Sequence, residues 1–197
     1  MLVKYISSSG KSSHEIYCVS QSGHIHNKSH LLKENKYYLV YAMKIISHSI
    51  WYYIYDELGR NYPDALPNEL FEMVDPSMSK YWNFTFYCNP KTLENHSLWV
   101  YPEWINDRFY HERLIEGNEE DVKIFKRYQS LMNLEFPNPF VKLRAESINE
   151  YSLLCMDCIH SWEIETDDAM VICPKCHKMM HNPTYKAVPD FSSVSII

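Results

Sequence analysis

The sequence is poor in glycine and has no long apolar run. With 4 glycines among 197 residues it contains no dinucleotide-binding glycine pattern, and no complete phosphate-binding loop is found. No stretch reaches the roughly 18 consecutive apolar residues of a membrane-spanning helix, so we expect no membrane association. The first residues show no signal-peptide pattern, and the six cysteines are too sparse for a secreted disulfide scaffold. We therefore expect a cytoplasmic protein.

Positive charge is also scarce. Against 25 Asp and Glu there are 19 Lys and Arg, which gives a formal net charge of −6. Proteins that bind nucleic acid contact phosphates with Lys and Arg, and no part of this chain is basic. The charge balance argues against a nucleic-acid partner and favours another protein, including a basic one.

Catalytic motifs are missing as well, and the sequence leans against an enzyme. There is no Gly-x-Ser-x-Gly and no His-Glu-x-x-His. Cys88 and His96 leave a Cys–His dyad open, although an idle thiol is the favoured interpretation. Neighbours on a predicted helix, His111 and Glu112 point about 100° apart and are interpreted as surface residues.

Aromatic residues are abundant: 16 tyrosines, 8 phenylalanines and 5 tryptophans. They concentrate in segments whose β-branched content and alternation predict short antiparallel strands, separated by turn residues. The segment 61–67 holds two prolines and is predicted to be an extended connector. The predicted strands are residues 15–19, 24–26, 37–46, 50–55, 70–74, 81–87 and 98–101, in a curled sheet of which an SH3-like roll is one form.

The pattern becomes helical after Val100. Pro102 and Glu103 predict a helix start, and Gly117-Asn118 predicts its end. A second helix is predicted over 119–133, so the two form a helical hairpin that packs on the sheet. A further strand is predicted over 140–144. The fold class is therefore α+β, with a domain over 1–148.

The strongest chemical signal lies near the end of the chain, where two Cys-x-x-Cys pairs are separated by fourteen residues. Each pair is a short turn that can direct two thiolates to one point, and the intervening stretch is long enough to form a hairpin. Four convergent sulfurs suit a closed, tetrahedral, structural Zn²⁺ site, and a filled site has no position for a catalytic water. The predicted ligands are Cys155, Cys158, Cys173 and Cys176.

Other donors leave alternatives open. His177 or His181 could replace a cysteine, and a site of four cysteines can also hold iron, although zinc is favoured. In the N-terminal domain, His24-x-His26 directs two rings to one face of a strand, as in some metal sites. Exposed polar histidines are the favoured interpretation there. The role of Cys18, like that of Cys88, stays open.

The cysteine module resembles the zinc-ribbon family, and Cys173-Pro174-Lys175-Cys176 resembles a rubredoxin-like knuckle. The resemblance implies a ribbon fold over 149–186, followed by a tail over 187–197, with the four cysteines as metal ligands. It implies no activity, since zinc ribbons serve as nucleic-acid readers, protein adaptors and structural elements.

These observations favour a non-catalytic cytoplasmic zinc-ribbon protein that binds another protein, as an adaptor or a toxin-immunity protein does. The first alternative is a nucleic-acid-associated ribbon protein, which the module type favours and the charge opposes. The second is an enzyme whose site is assembled from scattered residues of the N-terminal domain.

Overall fold

The computed structural model describes residues 1–6, 16–19, 25–28, 32–46, 49–88 and 95–186, without the side chains of 16–19 and 25–28. The chain forms two compact units, of which the first ends at Met132 and the second begins at Asn133. Each unit is described separately below. The predicted tail, 187–197, lies outside the described residues, and the predicted division into a domain over 1–148 and a ribbon over 149–186 stays a prediction.

The first unit is built on a seven-stranded antiparallel sheet. The longest strand, β4, pairs with β5 along one edge and is shared by β1 and β9 along the other. β6 continues the sheet beyond β5, β7 beyond β1, and β8 beyond β9, while β2 and β3 form a separate hairpin. The strands are β1 Leu2–Tyr5, β2 Ile16–Val19, β3 Ile25–Lys28, β4 Tyr37–Ile46, β5 Ser49–Ile54, β6 Asp64–Pro67, β7 Phe71–Asp75, β8 Asn83–Cys88 and β9 Asn95–Val100.

The division of one β4 edge between two strands is accompanied by an irregularity in β4. The register of the β4–β5 pairing shifts between Val40 and Ala42, which places Tyr41 at a bulge. The Trp82 indole N–H donates to the carbonyl of Tyr41 at 3.0 Å. The carbonyl at the bulge therefore accepts a hydrogen bond from the residue that immediately precedes β8.

The proline-containing segment is a strand rather than only a connector. Ile54 to Trp51 of β5 pair with Asp64 to Pro67, so this part of the prediction is wrong. Proline is tolerated there because β6 is an outer strand of the sheet and Pro67 is its last residue.

Three helices follow the sheet: α1 Pro102–Ile105, α2 Tyr110–Ile115 and α3 Glu119–Glu135. The single helix predicted from Pro102 to Glu116 is wrong. Its interior is broken because the Asp107 carboxylate accepts a hydrogen bond from the Phe109 N–H at 2.9 Å and pairs with Arg113 at 2.7 Å. Among the described residues, no helix combines the length and the apolar character needed to cross a bilayer.

The helices and the sheet share one core, as predicted. The Asn118 side chain caps α3 by accepting from the N–H groups of Glu120 and Asp121. Buried side chains from both layers are in contact, among them Val40, Tyr53, Ile54, Leu66, Val100, Trp104, Tyr110, Leu114, Phe125 and Met132. The predicted α+β class is confirmed.

The second unit contains a three-stranded and a two-stranded antiparallel sheet. Its strands are β10 Glu146–Asn149, β11 Ser152–Cys155, β12 His160–Glu163, β13 Met170–Ile172 and β14 Met179–His181. The strand predicted over 140–144 is wrong, because the Asn138 carbonyl and carboxamide bind the N–H groups of Val141 and Phe140 in a turn. Only Arg144 of this segment makes a bridge, with His181.

Candidate metal centre

Each Cys-x-x-Cys pair occupies the connection of its own hairpin. β11 pairs with β12 around the first, and β13 pairs with β14 around the second. The predicted hairpin between the two pairs is therefore wrong, because β12 pairs backwards in the chain and β13 pairs forwards. The result is two similar turns that face one point.

The two turns have the same backbone geometry. The residue after the second cysteine has a positive φ in both, +54° at Ile159 and +58° at His177. Its N–H donates to the carbonyl of the first cysteine, from Ile159 to Cys155 and from His177 to Cys173, each at 2.9 Å. The left-handed residue closes the turn and lets the chain leave along the second strand.

The four sulfurs have the spacing of a tetrahedral donor set. Sγ of Cys155 lies 3.7 Å from Sγ of Cys176, and Sγ of Cys158 lies 3.6 Å from Sγ of Cys173. All four lie within 4.8 Å of one another, and they are free thiols. A disulfide needs about 2.05 Å. Four bonds of about 2.3 Å at tetrahedral angles place sulfurs about 3.8 Å apart, so the set fits a metal ion.

The surroundings favour the deprotonated form at one thiol and oppose it at another. Burial raises the pKa of Cys173, but hydrogen bonds from the backbone N–H groups of Cys176 and Lys175 outweigh it and lower that pKa to about 7. Burial and the contact with Cys173 raise the pKa of Cys158 to about 12. At neutral pH and without a cation, these surroundings favour a protonated thiol at Cys158.

Apolar packing and one ion pair support the two turns. Cys155 and Cys173 are buried in a small core with Ala145, Leu153, Val171 and Met180, and the half-buried Trp162 packs against it. Lys178, after the second turn, pairs with Asp157 of the first at 2.7 Å. Sequence reasoning missed this pair, because nothing in the spacing indicates that the two residues meet.

The histidines near the second pair are not part of the cluster. Among the residues that the structure describes, the donor group consists of the four cysteines. His181 lies in β14, and its Nε2 is 2.8 Å from the Val141 carbonyl. His177 closes a turn through its backbone, and its side chain is exposed. The cluster is therefore the one predicted from the cysteines.

The other candidate residues lie in the first unit. Cys88 is exposed on β8 and pairs with Asn95 of β9. His96 pairs with Tyr87 instead, and the centroids of their two rings lie 4.8 Å apart. Because successive side chains alternate between faces, Cys88 and His96 are on opposite faces of the sheet and form no dyad. In the β2–β3 hairpin Cys18 is opposite His26. Their side chains and His24 lie outside the described residues.

His111 is a core residue, so its predicted surface position is wrong. It is 8% exposed, stacks on Trp104 with ring centroids 4.6 Å apart, and its Nε2 lies 3.1 Å from the Pro63 carbonyl. Glu112 is exposed, as predicted. The stacking on Trp104 and the contact with the Pro63 carbonyl account for the burial of His111 without a catalytic role.

Comparison of the chain with protein-family models, curated proteins and solved structures found no match.

Proposed function

We propose that residues 149–186 form a zinc ribbon in which Cys155, Cys158, Cys173 and Cys176 hold one structural Zn²⁺. The observation that carries this proposal is the sulfur spacing of 3.6 and 3.7 Å, which matches tetrahedral Zn–S bonds. Iron uses the same ligands at similar distances, and metal identity is therefore part of the test. With four protein ligands no position is left for a water or substrate, so the metal is structural rather than catalytic.

A structural metal would supply stability that the small core of the second unit lacks. The buried residues of its core are few: Ala145, Leu153, Cys155, Val171, Cys173 and Met180. A module of this size buries too little apolar surface to offset the entropy of folding. Metal–thiolate bonds supply the difference, because the ligands come together only in the folded chain.

Metal content tests the ligand assignment. Protein produced without added iron should contain about one zinc per chain. Cys155→Ser should lose the metal and lower the melting temperature. Cys88→Ser is the matched control, since Cys88 is a free thiol outside the cluster, and should keep both. Zinc-free wild type, or a Cys155→Ser protein with unchanged zinc, would contradict the assignment.

For the whole chain we propose a non-catalytic, cytoplasmic role in binding another protein, of the adaptor or toxin-immunity kind. The net charge of −6 and the exposed apolar and aromatic side chains of the first unit support it. The module type favours the alternative of a nucleic-acid-associated protein. The charge of the module opposes this alternative. Residues 151–186 contain three lysines and five acidic residues, and a metal bound by four thiolates would add further negative charge, so phosphate groups would be repelled.

Affinity capture from the native host distinguishes these roles. The full chain is used as bait, with and without nuclease treatment of the extract, and bound species are identified by mass spectrometry. A specific protein retained after nuclease treatment supports the protein-binding role. Nucleic acid recovered with an affinity that falls steeply with salt would favour the alternative. Turnover of a captured small molecule would favour an enzyme.

A further inference from the structure

β8 is an outer strand of the first unit's sheet. Among the described strands it pairs only with β9, and its other edge therefore presents backbone N–H and C=O groups that no strand pairing uses. Asn83, Phe84, Phe86 and Cys88 are exposed, and Thr85 and Tyr87 are half-buried. Four of the six side chains of β8 are therefore exposed in the described part of the chain.

One face of β8 carries two exposed aromatic rings. Phe84 and Phe86 are two residues apart and lie on the same face, where each is 56% exposed. The Phe84 ring contacts Trp99 of β9, with centroids 4.8 Å apart. Tyr87 points to the opposite face, where its hydroxyl donates to the Ile105 carbonyl of α1 at 2.9 Å. Helix α1 therefore covers the other face, and the two phenylalanines extend an apolar surface at the sheet edge.

This edge lacks the devices that usually prevent strand pairing. Outer strands are commonly protected by lysine, proline or a β-bulge. The sequence of β8, Asn-Phe-Thr-Phe-Tyr-Cys, contains no charge and no proline. Its pairing with β9 runs from Asn83 to Cys88 without a register shift. A regular, uncharged aromatic edge is suited to adding another strand.

We propose that two copies of this chain associate through β8, paired antiparallel about a two-fold axis. In a two-fold interface the same strand meets itself, so any charge on β8 would lie close to its own copy. β8 has no charge, so pairing with its own copy brings no like charges together. A basic partner, which the net charge of −6 would attract, gains nothing from an uncharged strand.

The pairing would also cover part of both phenylalanines. Antiparallel pairing that keeps the faces of the two sheets aligned brings Phe84 and Phe86 of both copies into one row. Each ring then loses part of its exposed surface to a ring of the other copy. The proposal concerns the first unit alone and does not depend on the metal centre.

Sedimentation equilibrium of the full-length, metal-containing protein tests the proposal. We expect a monomer–dimer equilibrium in wild type, and a Kd raised about tenfold or more in the double variant Phe84→Lys/Phe86→Lys, because the row of rings would become a row of like charges. Phe109→Lys is the matched control. Phe109 is 47% exposed, lies just before α2 rather than on β8, and should leave the Kd unchanged.

Salt and hydrogen exchange give two further readouts. Two chains of charge −6 repel each other, so added salt should lower the Kd, opposite to the behaviour of a basic partner. In wild type, amides within residues 83–88 should exchange more slowly as protein concentration rises. This second measurement decides the matter if the double variant fails to fold.

Three outcomes would overturn the proposal. The first is a monomer at every accessible concentration. The second is a dimer with the same Kd in wild type and in a folded double variant, or one without concentration-dependent protection of 83–88. The third is open-ended growth beyond the dimer, since a two-fold pairing of single edges closes at two copies.

Discussion

At the scale of single residues, the most unusual feature is a positive φ at residues other than glycine, which the described part of the chain shows at Asn35, Ile159 and His177. Ile159 and His177 each close one of the two Cys-x-x-Cys turns in this conformation. The Cβ atom makes it cost roughly 1–2 kcal/mol, and a β-branched residue is especially restricted. Ile159 is 69% exposed, so its side chain offsets little of that cost through packing within the chain.

Ile159→Gly is therefore expected to stabilise the second unit by about 0.5–1 kcal/mol, which is the relief of strain less the added entropy of glycine in the unfolded chain. Urea unfolding of the metal-loaded protein measures it. Met156→Gly is the matched control in the same turn, because Met156 is also exposed (54%) but is not among the described residues with positive φ. With no strain to relieve, this substitution should destabilise the unit by up to about 1 kcal/mol. Destabilisation by Ile159→Gly would contradict the strain argument.

The sequence could predict that the four cysteines come together, but not which residues position them. Cysteine spacing alone indicates a metal site, since few other structures need two such pairs. A glycine after each pair would have indicated the left-handed turn, but isoleucine and histidine are found there. Nor could sequence reasoning place His111, because its burial depends on Trp104 and Pro63, which lie in other segments.

At the scale of elements, the prediction succeeded where local composition decides and failed where side-chain hydrogen bonds do. β4 and β5 are rich in aromatic and β-branched residues, and α3 is long and well capped, so all three were predictable. The break between α1 and α2 depends on Asp107, whose carboxylate competes for a helical N–H. Helical propensity does not include that interaction.

A chain of hydroxyl hydrogen bonds connects three elements of the first unit. Tyr101, after β9, donates to the Tyr110 hydroxyl of α2 at 3.0 Å, and Tyr110 donates to the Asp121 carbonyl of α3 at 2.8 Å. Burial and the neighbouring Tyr110 raise the pKa of Tyr101 well above its ordinary value near 10. The folded chain therefore keeps Tyr101 protonated at a pH where the unfolded chain ionises it.

The sign of the linkage follows from the raised pKa. Stability from a protonated Tyr101 is complete below pH 10 and declines above it, by up to about 1.4 kcal/mol per pH unit. Tyr101→Phe should cost about 1 kcal/mol at pH 7 through the lost hydrogen bond. This deficit should shrink above pH 10, because the variant has one fewer ionising group. Urea unfolding from pH 7 to 11 tests it, and a deficit independent of pH would contradict the argument.

At the scale of the whole molecule, the two units have different sources of stability. The first unit buries a large aromatic core shared by its sheet and helices, whereas the second has a small core around four sulfurs. Apolar burial at about 25 cal/mol per Å² can stabilise the first without a ligand. The second lacks that area, and its folding should depend on metal binding.

Metal removal should therefore unfold one unit and leave the other folded. After treatment with a strong chelator, hydrogen exchange should become fast within 152–181, where the cysteine hairpins lie, and stay slow within β4 and β5. Trp162 is the only tryptophan of the second unit, so unfolding of that unit should change the tryptophan fluorescence slightly. The helical signal in far-UV circular dichroism should stay almost unchanged, because α1, α2 and most of α3 belong to the first unit. Adding back zinc should restore the slow exchange within 152–181 and the original tryptophan fluorescence. Simultaneous loss of protection in β4 and β5 would mean that the chain folds as one cooperative unit, and the expectation that metal removal unfolds one unit alone would then be wrong. Unchanged protection in both units would instead show that the apolar core around Leu153 and Met180 suffices without the metal.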